Sequence, residues 1–425
     1  MKPTLNEPLT LPNGAVLPNR IAKSAMSERL ADEESHAPNA DLVRLYEQWS
    51  KGGAGLLITG NVMVDRTALG EPGNVAITDT RDLEALRAWA AAATSGGNHA
   101  WAQLNHPGRQ SPRTLSREPV APSAIPVKLG GMFATPRALT EPEIFGIIAS
   151  FARAARIVQQ AGFTGVQIHG AHGYLISQFL SPLTNIRTDA WGGDPVRRRR
   201  FLLEVVAAIR AEVGPDFPIG VKLNSADFQR GGFSEEDSLQ VVAALETAEI
   251  DMLEISGGTY ERPAMFAQAL NSASNSTRSR EAFFLEYAEK VRQVTALPLS
   301  LTGGFRTAAA MNQALAGGAV DLVGMARPLI IEPDLPARLL TGESEAALPI
   351  ALRTGLGKLD SLLGIAWYSW QLRRMGRGLA PKPNAWLLQA VLGYTWEHLA
   401  GVVTPTWAQP RIRRTADDPI SALPG

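Results

Sequence analysis

Short, nearly unbroken apolar runs recur along the chain, separated by stretches whose apolar positions follow helical spacing. The runs are Ile21–Met26, Gly55–Thr59, His99–Leu104, Gly165–Ile168, Ile219–Leu223, Met252–Ile255, Leu299–Thr302 and Asp321–Met325. Each is brief and rich in Val, Ile or Leu, the pattern of parallel strands buried on both faces. Amphipathic segments between them cover Asp41–Trp49, Leu83–Ala93, Glu143–Gln160, Val196–Glu212, Glu235–Leu245 and Ala282–Val294. Thr140 and Glu143 form a capping box, Gly162 stands where that helix should end, and Ser234 precedes three acids at the positive end of a helix dipole. Eight strand–helix repeats predict an α/β fold, the (β/α)8 TIM barrel, over residues 1–340. Leu9 to Leu17, with Asn13-Gly14 between apolar flanks, predicts an N-terminal β-hairpin that caps the barrel's bottom. Residues 341–425 break the repeat and carry Trp367, Trp370, Trp386, Trp396 and Trp407. They read as a helical C-terminal extension that packs on the barrel or across a dimer interface.

Composition narrows the class. The 425 residues carry 41 basic and 41 acidic side chains, without the basic excess of a nucleic-acid binder. Gly and Pro make up about 16% of the chain, below the roughly 25–30% of low-complexity sequences. Cysteine is absent, which excludes disulfides, thiolate catalysis, zinc–thiolate sites and cysteine-ligated iron–sulfur clusters. The opening residues lack a secretory signal, and Pro383 to Trp396 is too short to span a bilayer, so the expectation is a soluble cytoplasmic protein.

Barrel chemistry gathers at the C-terminal ends of the strands. There stand Ser24-Ala25-Met26-Ser27, Thr59-Gly60-Asn61, Gln103-Leu104-Asn105-His106, His169-Gly170-Ala171-His172-Gly173-Tyr174, Lys222 with Asn224, Glu254-Ile255-Ser256, Thr302-Gly303-Gly304 and Met325-Ala326-Arg327. Gly303 and Gly304 precede a helix starting near Thr307, so backbone N–H groups could meet an anion there, and Arg327 could add a charged fork. The plainer reading makes the glycines a tight turn and Arg327 a surface residue. His169, His172 and Tyr174 form the sharpest cluster: neutral imidazoles can hold a carbonyl oxygen and a tyrosine can deliver a proton. A packed core trio is the structural alternative. A metal site is the third, although no glutamate or helical register of a zincin accompanies the histidines. No Gly-x-Gly-x-x-Gly follows a strand, so a phosphate site suits a mononucleotide better than a Rossmann-bound dinucleotide.

The segment from His169 through Tyr174 to Asn185, followed by Arg187-Thr-Asp-Ala-Trp-Gly-Gly193, closely resembles the Old Yellow Enzyme family. Asn19-Arg20-Ile21 leading to Ser27, Gln103 to Arg109, Gly303-Gly304 and Ala326-Arg327 are similar to that family in the same order, over roughly residues 5 to 340. The resemblance implies bound FMN, with NADH or NADPH as hydride donor, and a small-molecule enone as substrate. It implies that Ser24, Ala25, Met26 and Ser27 border the flavin, with Ser27 near N5 and O4. Asn61 would give a backbone contact, Gln103 would bind the pyrimidine edge, and Lys222 would lie beside N1 and O2. Gly303, Gly304, Ala326 and Arg327 would hold the phosphate, His169 and His172 would grip the substrate carbonyl, and Tyr174 would donate the proton. Lys222 stands where many members have arginine, and Ala326 where many have glycine. No metal site and no nucleic-acid or membrane partner is expected, and a homodimer is. The same barrel could instead run as a flavin dehydrogenase or oxidase on a different substrate, and the Trp-rich tail could serve a partner.

Overall fold

The computed structural model describes residues 2–257, 284–350 and 358–387. Its centre is a closed parallel barrel of β1 (Ile21–Lys23), β2 (Leu56–Met63), β3 (His99–Asn105), β4 (Gly165–Gly170), β5 (Ile219–Asn224), β6 (Met252–Ser256), β7 (Leu299–Thr302) and β8 (Leu322–Met325). Each strand pairs with the next, and β8 returns to β1 through Val323↔Ile21, Gly324↔Ala22 and Met325↔Lys23. The predicted strands are therefore found in order, as a (β/α)8 TIM barrel.

Helices α1 (Ala40–Lys51), α2 (Leu83–Thr94), α3 (Glu141–Gln160), α4 (Pro195–Val213), α5 (Glu235–Glu246), α6 (Leu285–Arg292), α7 (Ala308–Ala316) and α8 (Leu335–Thr341) surround it. The capping signals act as the sequence implies. Thr140 N–H donates to Glu143 at 2.8 Å before α3, and Ser234 with Asp237 closes a capping box before α5. The segment expected to be helical from Ala282 begins, among the described residues, at Leu285.

Two apolar layers result. Leu57, Val62, Ile21 and Val323 point outward into the sheet–helix core, while Leu56, Ile58, Trp101, Met252 and Leu322 fill the barrel. The predicted hairpin is present as Leu9–Thr10 paired with Val16–Leu17, and Leu9, Leu11 and Leu17 stop the barrel's lower end. Its loop is longer than a two-residue turn: Asn13 Oδ1 accepts from Ala15 N–H, and Asn13 Nδ2 donates to the Asp216 carbonyl.

One irregularity shapes the upper rim. On β2, Ile58 lies opposite Trp101 but Asn61 lies opposite Gln103, so two residues face one and the strand bulges at Thr59-Gly60.

The C-terminal extension contributes α9 (Lys358–Gly376), which lies on α1. Arg44 Nε donates to the Gly376 carbonyl at 2.7 Å and Gln48 Nε2 to that of Met375 at 3.0 Å. Trp367 is fully buried and its indole donates to the Ala385 carbonyl at 3.1 Å, whereas Trp386 is 80% exposed. This extension shares the barrel's apolar core through Trp367, Leu372 and Met375. Trp396 and Trp407, and the Ser- and Asn-rich segment 262–280, lie outside the described residues. Among the described residues, no helix is long and apolar enough to cross a membrane.

Candidate active site

β4 ends where His169 enters the barrel mouth, and the chain then turns sharply. His172 adopts φ +61°, an uncommon conformation for a non-glycine residue, and Gly173 follows at φ +78°. The turn is held from several sides: His172 N–H donates to Asn224 Oδ1 at 3.2 Å, and Gln110 Nε2 donates to the His172 carbonyl at 3.1 Å. Gln178 Nε2 donates to the Gly173 carbonyl at 2.7 Å. Tyr174 then caps a short helix, Leu175–Leu180, whose first N–H donates to the His106 carbonyl.

This turn brings the three predicted rings together. The His169 centroid lies 5.0 Å from that of His172 and 4.9 Å from that of Tyr174, both edge-on. Burial, followed by the charges of His172 and Lys222, holds His169 well below the usual histidine range. Burial and Lys222 lower His172 to about 3. Both imidazoles are therefore neutral at neutral pH. Ala171 N–H donates to His169 Nδ1 at 3.3 Å, which leaves the ring proton on Nε2 as a donor. His172 Nε2 shares a 2.7 Å hydrogen bond with Ser256 Oγ, and Asn61 Nδ2 donates to the Tyr174 hydroxyl at 3.1 Å.

Below the rings runs a buried polar chain. Gln103 Nε2 donates to Gln167 Oε1 at 2.7 Å, and Gln167 Nε2 donates to Glu254 Oε2 at 2.6 Å. Glu254 Oε1 accepts from Lys222 Nζ at 2.8 Å and from Thr302 Oγ1 at 2.7 Å. Thr302 Oγ1 also lies 2.6 Å from Ser24 Oγ, across β8. A Cβ on Gly324 would collide with both of these oxygens, so the bond requires glycine there. Ala25, Met26 and Ser27 continue upward from Ser24, half-buried along the rim. On the opposite side Gly304 takes φ +87° ahead of the Thr307 N-cap of α7, with Ala326 half-buried and Arg327 exposed one strand later.

These residues fit FMN. Gln103 Oε1 is buried with no hydrogen-bond partner among the described residues, an acceptor suited to a ring N–H. Lys222 would supply the cation, and the N–H groups of the Gly303-Gly304 turn, with Arg327, would be the groups to hold a phosphate. Among the described residues, no group of three acids or histidines could hold a metal ion.

Several participants escaped the sequence reading. Asn61 was expected to offer backbone contact, yet its side chain is engaged with Tyr174. Glu254, Ser256 and Asn105 were named only as strand-end residues with no role, and Gln167 not at all; the buried Asn105 amide has no partner on either atom among the described residues. A charged residue inside an otherwise apolar strand, as in Met252-Leu-Glu-Ile, was the available signal, because a buried charge must be paired.

The family model for NADH:flavin oxidoreductase / NADH oxidase matches residues 4–345. The NADH-dependent flavin oxidoreductase nadA of Aspergillus parasiticus is 38% identical over 86% of this chain and 83% of its own. The NADH-dependent flavin oxidoreductase iliE of Neonectria sp. is 39% identical over 78% of this chain, which spans 46% of that relative's length. Among solved structures, the old yellow enzyme homologue from Zymomonas mobilis superposes with a TM-score of 0.69 at 27% identity, covering 82% of this chain and 95% of its own. With the barrel, the paired histidines and this match over most of its length, the chain belongs to the NADH:flavin oxidoreductase / NADH oxidase family.

Proposed function

We propose that this protein reduces the C=C bond of α,β-unsaturated carbonyl compounds in a ping-pong cycle, with NADH or NADPH as reductant. The observation that carries this reading is the pair of neutral imidazoles, 5.0 Å apart, with the Tyr174 ring 4.9 Å from His169 at the end of β4. When bound, FMN would supply the redox chemistry, hydride acceptance from the nicotinamide and hydride donation to the substrate Cβ.

The chain's own residues do the rest. His169 Nε2–H, with the neutral His172 beside it, donates to the enone oxygen and strengthens that bond as enolate charge develops. Tyr174 gives its hydroxyl proton to Cα and regains one from solvent. Lys222 would face the charge that accumulates on the reduced cofactor, and Gln103 Oε1 would accept from its pyrimidine edge. The Gly303-Gly304 turn, Ala326 and Arg327 would bind the phosphate, while Ser24 to Ser27 would line the ring.

The test uses purified holoprotein reduced anaerobically with NADH and mixed with 2-cyclohexen-1-one. The expected result is reoxidation of the flavin band with stoichiometric cyclohexanone. A phenol titration of the oxidised protein should add a long-wavelength charge-transfer band that His169→Asn/His172→Asn abolishes. Reduced flavin that ignores the enone and reoxidises with oxygen would overturn the reading in favour of an oxidase.

A further inference from the structure

Outside the cluster just described, the structure buries a second set of ionisable groups. Lys23 is inaccessible, Glu28 is 7% exposed, and Tyr46 of α1 is buried between them. The Tyr46 hydroxyl donates to Glu28 Oε1, Lys23 Nζ stands 3.5 Å from the same oxygen, and the ammonium lies over the Tyr46 and Trp49 rings. Burial lowers Lys23 to about 8. Apolar residues of similar volume would fill such a place at no loss of stability, so the polar groups call for a reason.

The β2 bulge supplies one. Leu57 faces the outer core, so strict alternation would send Thr59 and Asn61 outward and Val62 into the barrel. Instead Val62 lies in the outer core and Asn61 meets Tyr174, because one residue is inserted at Thr59-Gly60. The insertion strands backbone groups that the β2–β3 ladder would have paired. Lys23 Nζ donates to the Ile58 carbonyl at 2.8 Å, and Gly60 N–H donates to Glu28 Oε1 at 3.0 Å. Thr59 Oγ1 accepts the Gln103 N–H at 2.9 Å. A Cβ at Gly60 would strike the Glu28 carboxylate and the Met26 carbonyl.

We propose that Glu28 is a positioning residue for Tyr174: with Lys23 and Tyr46 it holds the bulge that turns the Asn61 amide onto the tyrosine hydroxyl. The inference rests on Tyr174 as the proton donor of the proposed reaction. Asn61 donates to the Tyr174 oxygen and so does not itself take the tyrosine proton, and the amide steadies the oxygen as that proton leaves. Reduction by NADH needs no such proton, so the device acts on the enone step alone.

A matched pair of variants isolates the acceptor for Gly60. Lys23→Met/Glu28→Gln and Lys23→Met/Glu28→Leu both remove the buried charges; the glutamine keeps the side-chain oxygen at 28 for the Gly60 N–H, whereas the leucine leaves that N–H only its longer contact to the Tyr46 hydroxyl, 3.2 Å. Both half-reactions are followed by stopped-flow on FMN-loaded protein. The leucine pair should slow the enone step about tenfold more than the NADH step. The glutamine pair should recover at least about threefold of that loss. Asn61→Ala should reproduce the leucine pair's loss, and combining the two should add little. Equal enone rates in the two pairs, or parallel slowing of both half-reactions in the leucine pair, would overturn the proposal. Tyr174→Phe serves as the control for the underlying reading. If it leaves the enone step intact, the functional reading falls, and a crystal structure of the leucine pair decides the positioning role: Asn61 Nδ2 leaving Tyr174 Oη sustains it, and contact within hydrogen-bond distance overturns it.

Discussion

Glu254→Gln should loosen FMN by reversing a chain of side-chain amides. In the native protein Glu254 accepts from Gln167 on one oxygen and from Lys222 and Thr302 on the other. A carboxylate accepts only, so it orients Gln167, which orients Gln103 and leaves Gln103 Oε1 as the free group. A glutamine at 254 has one acceptor and one donor. If its oxygen stays on Lys222, its amide hydrogens meet those of Gln167; both amides must then flip, and Gln103 presents NH2 where it presented oxygen. If its oxygen turns to Gln167, its NH2 faces the Lys222 ammonium instead. The lost ion pair is the larger effect on stability. At 2.8 Å the attraction is roughly 6 kcal/mol at an effective dielectric of about 20, offset by desolvation, and removing one partner of a buried pair costs about 3–5 kcal/mol. The effect on the cofactor is separate. A donor set against the ring N–H costs about 1–3 kcal/mol, or roughly 5- to 150-fold in FMN affinity. Urea unfolding reads the first, and recovery of flavin fluorescence on dilution reads the second. Wild-type FMN affinity in a folded Glu254→Gln protein would refute the polarity argument.

Other expectations are more direct. Tyr174→Phe should slow the enone half-reaction about 10²- to 10⁴-fold and spare the NADH half-reaction, and equal slowing in stopped-flow would contradict the donor role. Burial keeps His106 at about 4 and His172 at about 3, and holds His169 well below the usual range, whereas in the unfolded chain each takes a proton near pH 6.5. Their contribution is therefore intact above about pH 6.5 and lost as pH falls toward the folded values, by about 1.4 kcal/mol per pH unit for each histidine. Urea midpoints from pH 8 to 4 should fall less steeply in His169→Asn/His172→Asn, and identical slopes would rule the linkage out. Gly324→Ala should break the Ser24–Thr302 bond and cost about 1–3 kcal/mol or more, seen as a lower thermal midpoint. Arg327→Ala should weaken FMN but not riboflavin, which lacks the phosphate; equal loss of both would remove Arg327 from the phosphate site.

The barrel was legible because parallel strands buried on both faces read as apolar runs, and because Thr140, Ser234 and Gly162 punctuate the helices between them. Strand ends then identified His169, His172, Tyr174, Gln103 and Lys222 as rim residues. The bulge was not legible. Leu56-Leu57-Ile58 is apolar throughout, so no alternation marked the register, and the predicted strand stopped at Thr59, partway into the insertion. Partnerships across the fold were equally hidden: nothing in local sequence connects Glu28 with Tyr46 and Gly60, or Glu254 with Gln167. Three strands nonetheless carried a visible clue, a single charge each at Lys23, Lys222 and Glu254, and each of these charges proves to be paired.

Because β8 closes onto β1, the order of synthesis matters to this enzyme. Ser24 leaves the ribosome about 300 residues before Met325, whose carbonyl accepts its N–H, and its link to Thr302 must wait almost as long. Contacts so distant in sequence form late, after the intervening strand–helix units have assembled on one another. Until then the growing sheet has two unpaired edges, each able to recruit another chain. The proposed flavin site straddles that seam, with Ser24 to Ser27 on one side and Ala326 and Arg327 on the other. On that placement FMN would bind the closed barrel and not the open one, and by mass action would draw the last folding step to completion. A cell short of riboflavin would be expected to lose this protein to aggregation as well as leaving it inactive.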